Sequence, residues 1–457
     1  MDFNVKLGTV AEWTGGVILS GSPEIDINTV TTDSRELGRD SLFIPIAGQK
    51  FDGHQFIENL VKSKSIAAYL TMKKDAEITG EGVGAIKCDD TLKAYGRLAS
   101  EHRNRMHAKI IGITGTNGKT TTKEMLWAIL NRKNKTQKNE KNYNNEIGVP
   151  YTLLGLKADH KFAVIEMGMN HKGEIDILSK MAKPDMAVIT NVGEGHLEFL
   201  GNVENVAIAK SEIINGMNSG AIIILNRDTQ YFEILNKKAL DAGLEVRTFG
   251  LSDEADIKPD NYKMFSDSVS FEYKGVDFNV PVYGMHNLYN ALAALAAALT
   301  LGAEINIVKD AFAGFKNVDM RSQMLNAGYT VINDTYNSNP LSARYALKSL
   351  RDVFPGKRKI AILSDMKELG DASEQYHIEL GKIAKSLGID MLLTWGEMAE
   401  NIARGANKNG MDKNAFHFRT KDELIAFALK NITKDDVVLV KGSRSMKMEE
   451  VVERLIH

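Results

Sequence analysis

Ala108-Lys-Ile-Ile-Gly-Ile-Thr-Gly-Thr-Asn-Gly-Lys-Thr-Thr121 decides how the rest of the chain is read. Its first half is a β-like apolar run, Ala108 to Thr114. Glycines follow at Gly115 and Gly118, and from Thr120 to Asn131 the pattern turns helical. A strand that enters a glycine-rich turn and then a helix lets backbone N–H groups approach phosphate oxygens, with the positive end of the helix aimed at the anion. The backbone of Gly115, Thr116, Asn117 and Gly118, with Thr121 just inside the helix, would form that cradle. Lys119 would reach the β- and γ-phosphates of a nucleotide, and the Thr120 hydroxyl would ligate Mg2+. The common phosphate-loop spacing would place its first glycine at position 113, where this chain has Ile113.

Outward from this segment, short apolar runs alternate with helical stretches: Phe162 to Met167, Met186 to Asn191 and Ala221 to Asn226. Each is separated from the next by enough chain for a crossover helix, which argues for a mostly parallel sheet. A second series begins late, at Thr330 to Asn333, Lys359 to Leu363, Met391 to Trp395 and Asp436 to Val440. Between the series, Ser268 to Val282 has hairpin character and Ala291 to Leu301 reads as a buried Ala-rich helix. The expected fold is α/β in three domains: 1–105, 106–318 around the phosphate loop, and a Rossmann-like 319–457.

Composition bounds the rest. A chain of 457 residues exceeds one ordinary core. Its formal charge of -2 points to neither a nucleic-acid nor a membrane partner. The lone cysteine, Cys88, forms no internal disulfide. The stretch from Met1 to Val10 carries Asp2 and Lys6 and lacks an apolar signal core, so a cytoplasmic protein is expected.

Three further residues draw notice, two of them at or just after strand ends, where parallel sheets place their sites. Glu166 closes the run Phe162 to Glu166 and suits a cation that takes one or two carboxylates and keeps several waters. His196 ends the loop Asn191-Val-Gly-Glu-Gly-His196, and Lys210 lies in Ala207-Ile-Ala-Lys-Ser-Glu212. Taken alone, such a histidine is more often a hydrogen-bonding residue than a ligand, and such a lysine a solvated helix residue.

Together these segments resemble the Mur ligase family over nearly the whole chain. Thr114-Gly-Thr-Asn-Gly-Lys-Thr-Thr121 is similar to that family's form of the phosphate loop. Glu166-Met-Gly-Met-Asn170 resembles its magnesium-binding segment, and His196 and Lys210 match family positions at which the lysine is carbamylated. A carbamate supplies two anionic oxygens where an ammonium supplies none. Asn287 and Asn290, in Gly284-Met-His-Asn287-Leu-Tyr-Asn290, resemble residues that approach adenine. Arg321 and Asp334-Thr-Tyr-Asn337 resemble third-domain residues that close over ATP, and Lys441-Gly-Ser-Arg444 a segment near the family's C-terminus.

The resemblance extends to the substrates. Thr32-Asp-Ser34-Arg35 and Asp52-Gly-His54 are similar to a UDP-binding segment. Asn142-Tyr-Asn144-Asn145-Glu-Ile-Gly-Val-Pro150, Tyr336-Asn337-Ser-Asn339-Pro340 and Asp365-Met-Lys-Glu-Leu-Gly370 resemble signatures of members that extend a UDP-muramoyl tripeptide with D-alanyl-D-alanine. Two positions depart from the pattern: Met320 and Ser364 stand where glycine is usual. What the resemblance implies is an ATP- and Mg2+-dependent amide ligase of peptidoglycan synthesis, acting as a monomer through an acyl phosphate. His377 is a candidate base for the amine, although Glu368, Asp371 and His377 equally fit a solvated helix start. The third residue of the peptide is not legible. The competing readings are a ligase using diaminopimelate, lysine or glutamate as the amine, an ATP-driven switch or motor, and a nucleotide-sugar binding protein without catalysis.

Overall fold

The computed structural model describes residues 3–48, 51–73 and 82–457, so Met1 and Asp2 of the N-terminal stretch lie outside it. Three α/β layers follow one another along the chain. In the first sheet Thr29–Thr31, Ser41–Phe43, Ala68–Thr71 and Gly84–Lys87 pair in parallel, and Val17–Ser20 adds an antiparallel edge. The helix Thr91–Arg105, capped by the Asp90 carboxylate on the Lys93 N–H, leads out of this layer.

The second sheet has six strands, all parallel, in the spatial order Glu245–Phe249, Ile222–Asn226, Met186–Ile189, Lys109–Thr114, Phe162–Glu166, Thr136–Lys138. Its apolar runs are continuous because both faces are covered. Ile111, Ile113, Val164 and Val188 point into one core with the helices Lys119–Leu130 and Met285–Thr300. Their strand neighbours Ile110, Ala163, Ile165 and Ala187 point into the other. The Ala-rich helix is buried along 290–298, where small side chains let it lie close to the phosphate-loop helix. Against the same core rests an antiparallel sheet of Asn261–Met264, Val269–Tyr273 and Val276–Val280. Phe271 stacks on Phe278 at 4.9 Å and Phe312 meets both edge-on.

The third sheet runs Gln323–Asn326, Thr330–Asp334, Val437–Lys441, Lys359–Ser364, Met391–Trp395, Ala415–Phe418, parallel except at the Gln323–Asn326 edge. Each later strand series in the sequence is thus present, with flanking edge strands that the sequence reading did not identify. Those edges are short or mix polar and apolar residues, as in Glu245-Val-Arg-Thr-Phe249, so they carry no long apolar run. Among the described residues no helix is long and apolar enough to cross a membrane.

Candidate active site

The strand order of the second sheet reverses beside Lys109–Thr114, and the loops after this strand, Phe162–Glu166 and Met186–Ile189 converge there. Such a crevice at the carboxyl ends is where open parallel sheets bind ligands. Gly115 and Gly118 take φ of +146° and +82°. A β-carbon on Gly118 would stand 2.1 Å from Asn290 Oδ1, and one on Gly115 1.9 Å from Thr190 Oγ1, so side chains are excluded at both. Asn191 clamps the loop: its Oδ1 accepts from the Asn117 N–H at 2.9 Å and its Nδ2 donates to the Asn117 carbonyl at 3.1 Å. Lys119 Nζ folds back onto the carbonyls of Gly115 (2.9 Å) and Thr116 (3.2 Å). Burial pushes this ammonium below its usual range, against the pull of Glu166.

Glu166 is 2% exposed, which leaves its carboxylate dependent on protein partners. Oε2 accepts from Thr120 Oγ1 at 2.9 Å and Oε1 from Asn144 Nδ2 at 2.8 Å. Two residues missed in the sequence complete the support. Asn139 brackets the Glu166 backbone, accepting from its N–H at 2.5 Å and donating to its carbonyl at 3.2 Å. Lys123, fully buried, sits 3.8 Å from Glu166 Oε2 and donates to the Asn139 carbonyl at 3.0 Å. A lysine four positions after Lys119 on a helix carries no signal that separates it from a solvated one.

Among the described residues no three or more His, Cys, Asp or Glu side chains gather around a metal-sized gap. Thr120 and Glu166 instead offer two oxygens beside the phosphate loop, the donor set of a Mg2+ that retains most of its water. Lys210 is 1% exposed. Burial, reinforced by the nearby Lys119 charge, holds its amine well below the usual range. A neutral buried amine is the form that reacts with CO2, so the residue fits carbamylation. His196 adopts φ +56°, and its Nδ1 lies 2.7 Å from Glu368 Oε2.

The third sheet closes the crevice from the other side. Arg321 lays its guanidinium 3.8 Å over the Tyr336 ring and donates from Nη2 to Thr120 Oγ1 at 3.0 Å. Asp334 Oδ2 accepts from the buried Lys441 Nζ at 2.7 Å, and Lys441 also donates to the Asn337 carbonyl at 2.8 Å. Burial pushes the Asp334 carboxyl up, but Lys441, His286 and the Ser322 N–H together outweigh it and leave it below its ordinary value. Asn117 and Asn339 exchange reciprocal amide hydrogen bonds at 3.2 and 2.9 Å. Met320 has φ +59°, which gives a physical reason for glycine being usual there.

One cavity of about 600 Å³ gathers Lys119, Thr120, Glu166 and His196 with Lys367, Glu368 and Arg444 of the third sheet. A second lies behind the loop between Asn287, Asn290 and Asp334. Family models described as Mur ligase family, catalytic domain, Mur ligase middle domain, and Mur ligase, glutamate ligase domain match residues 26–103, 113–298 and 320–444. A curated UDP-N-acetylmuramoyl-tripeptide--D-alanyl-D-alanine ligase of Bacillus subtilis is 37% identical over 434 residues, 94% of this chain and 93% of that protein. The chain is a Mur ligase. Its Escherichia coli relative of the same name is 35% identical over 441 residues, covering 94% of each chain. The crystal structure of MurF from Acinetobacter baumannii superimposes with a TM-score of 0.91 at 30% identity, covering 99% of both chains. MurF of Thermotoga maritima in complex with ADP gives 0.83 at 28% identity, over 94% of this chain and 97% of that one.

In this Mur ligase the first sheet carries its own cavity, about 540 Å³, lined by Ser34, Arg35, Phe51, Phe56 and, from the second layer, Ile147. Asn142 and Asn144 face the central cavity, as do Tyr336, Asn337 and Asn339. Two expected residues do not line this cavity. Asn145 Oδ1 accepts from the N–H groups of Ile147 and Gly148 at the start of Gly148–Leu154. His377 is 0% exposed, and both ring nitrogens are occupied, Nε2 accepting from the Met366 N–H and Nδ1 donating to the Ser373 carbonyl. It holds the Asp365–Met366 turn in place and is not a base facing the cavity.

Proposed function

We propose that this Mur ligase joins D-alanyl-D-alanine to UDP-N-acetylmuramoyl-tripeptide at the expense of ATP, in the cytoplasm, with domains divided near residues 105 and 318. The observation that supports this best is the shared cavity: the phosphate loop of the second sheet opens onto Lys367, Glu368 and Arg444 of the third. A group activated by phosphate on one layer thus meets a second substrate carried by another.

The γ-phosphoryl group of ATP passes to the terminal carboxylate of the tripeptide, giving an acyl phosphate and ADP. The neutral amine of D-alanyl-D-alanine adds to the acyl carbon, the tetrahedral adduct expels phosphate, and the nitrogen loses a proton. Phosphoryl transfer of this kind is mostly positioning and charge neutralisation. Gly115 to Thr121 cradle the phosphates, and Lys119 leaves its two loop carbonyls to meet the β- and γ-oxygens. Asn287 and Asn290 wall the base, while Arg321 and Asp334 close over the nucleotide. Ser34 and Arg35 hold the UDP end, and Asn142, Asn144, Tyr336, Asn337 and Asn339 line the peptide path. Thr120 and Glu166, and His196 with carbamylated Lys210, would hold Mg2+, which would supply the positive charge that lets two anions meet. Docking of the third sheet shields the acyl phosphate from water.

The test is phosphate release with purified protein, ATP, UDP-muramoyl tripeptide and D-alanyl-D-alanine, each omitted in turn. Turnover that needs all three and yields a pentapeptide by mass is the expected result. Phosphate release that ignores both acceptors overturns the ligase reading.

A further inference from the structure

One helix turn of the third layer reaches both loops that flank the nucleotide crevice. The helix Pro340–Val353 begins at Asn339, whose side chain caps the Ser342 N–H in a reciprocal capping box, so its first turns are rigidly set. Asn339 pairs with Asn117 of the phosphate loop. Leu341 fills the space over Gly193, where an added β-carbon would lie 2.4 Å from its Cδ2. Arg344 Nη2 donates to both carboxylate oxygens of Glu194 at 2.8 Å, with the two side chains 34% and 17% exposed. Gly193 and Glu194 belong to the loop that starts with Asn191, the clamp on Asn117, and ends at His196 in its left-handed conformation. A non-glycine residue keeps such a backbone only where its surroundings hold it.

We propose that Arg344 is a positioning residue: through Glu194 it fixes the 191–196 loop, and with it Asn191 and His196, in working geometry once the third layer has docked. The inference rests on the ligase reading above. Arg344 touches no reacting atom, and the contact spans two layers, so its loss acts on turnover rather than on capture of the UDP end by the first sheet.

A charge swap in the full chain tests it. Glu194→Arg and Arg344→Glu each place like charges face to face, and each is expected to lower kcat about tenfold while the KM for UDP-muramoyl tripeptide stays within about twofold. The double variant Glu194→Arg/Arg344→Glu restores the opposite pairing and is expected to return kcat to within about threefold of the parent. The rescue shows that the pair itself carries the effect, and a purely structural role would lower the melting temperature while leaving the kcat of the folded single variants at the parent value. Melting curves identify reversals that damage the fold, and there Arg344→Met, which keeps the apolar stem, decides the question. Parent-like kcat in the reversals or in Arg344→Met, or a swap no better than the worse single variant, overturns the positioning role. Absence of acceptor-dependent turnover in the parent itself counts instead against the ligase reading.

Discussion

Lys441→Met removes the cation from a buried ion pair that staples two neighbouring strands. Asp334 and Lys441 are direct partners in the parallel register of Thr330–Asp334 with Val437–Lys441. Lys441 is 2% exposed, and its Nζ serves both the Asp334 carboxylate at 2.7 Å and the Asn337 carbonyl at 2.8 Å. Methionine matches the stem but leaves a charge and a carbonyl without their donor. Removing one member of a buried pair costs about 3–5 kcal/mol. Asp334 keeps the Ser322 N–H at 3.0 Å and borders a cavity that water can enter. The low end, about 3 kcal/mol, therefore applies.

The protein holds three tryptophans, Trp13, Trp127 and Trp395, and only the last lies in the third sheet. With Trp13 and Trp127 replaced by Phe, urea unfolding followed by fluorescence reports that sheet alone. The pH dependence has a defined sign. In the parent the Asp334 carboxyl is held below its ordinary value of 3.8. It therefore contributes stability that is present above that value and lost as pH falls through the depressed one. In Lys441→Met burial, the largest influence on Asp334, loses its main opponent and the folded value rises, so the variant's deficit shrinks on acidification, when protonation neutralises the stranded carboxylate. Adding Asp334→Asn should recover most of the loss at pH 7. A deficit under about 1 kcal/mol, or one that widens toward low pH, would refute the reasoning.

Lys119→Ala is expected to lower turnover at least about a thousandfold, because Lys119 is the ammonium seated on the phosphate loop itself; near-normal phosphate release would remove Lys119 from that role. With 13C-bicarbonate near neutral pH, a carbamate resonance is expected in the parent and not in Lys210→Met. Acidification should erase it, since protonation removes the neutral amine that reacts with CO2. An identical resonance in both proteins would refute the assignment to Lys210. Asn339→Ala loses a helix cap and the amide exchange with Asn117. It should destabilise the third layer by about 1 kcal/mol and raise the KM for ATP, and calorimetry with steady-state kinetics measures both.

Legibility followed sequence distance. Strand, glycine turn, lysine and helix sit within fourteen residues, so local periodicity was enough to read the phosphate site. Glu166 was visible because an apolar strand ends on it. Its support was not: Asn139 is twenty-seven positions away and binds the Glu166 backbone, a pairing that no pattern of residue types encodes. The same holds for Glu194 with Arg344, separated by 150 positions. The partners of Asn145 and His377 were hidden for a related reason. Polar residues in turns serve the backbone as readily as a ligand, and only the coordinates show which partner each one took.

The third sheet has a consequence for biosynthesis. Val437–Lys441 is its last strand in sequence, yet it lies between Thr330–Asp334 and Lys359–Ser364, which are made well before it. While the chain is being made, those two have no common neighbour and Asp334 has no cation. The second layer, complete with its phosphate loop, leaves the ribosome earlier. Only when the final strand slots into the waiting gap does Asp334 gain its cation and the third sheet its middle, so a chain cut before Val437 leaves that sheet in two unjoined halves.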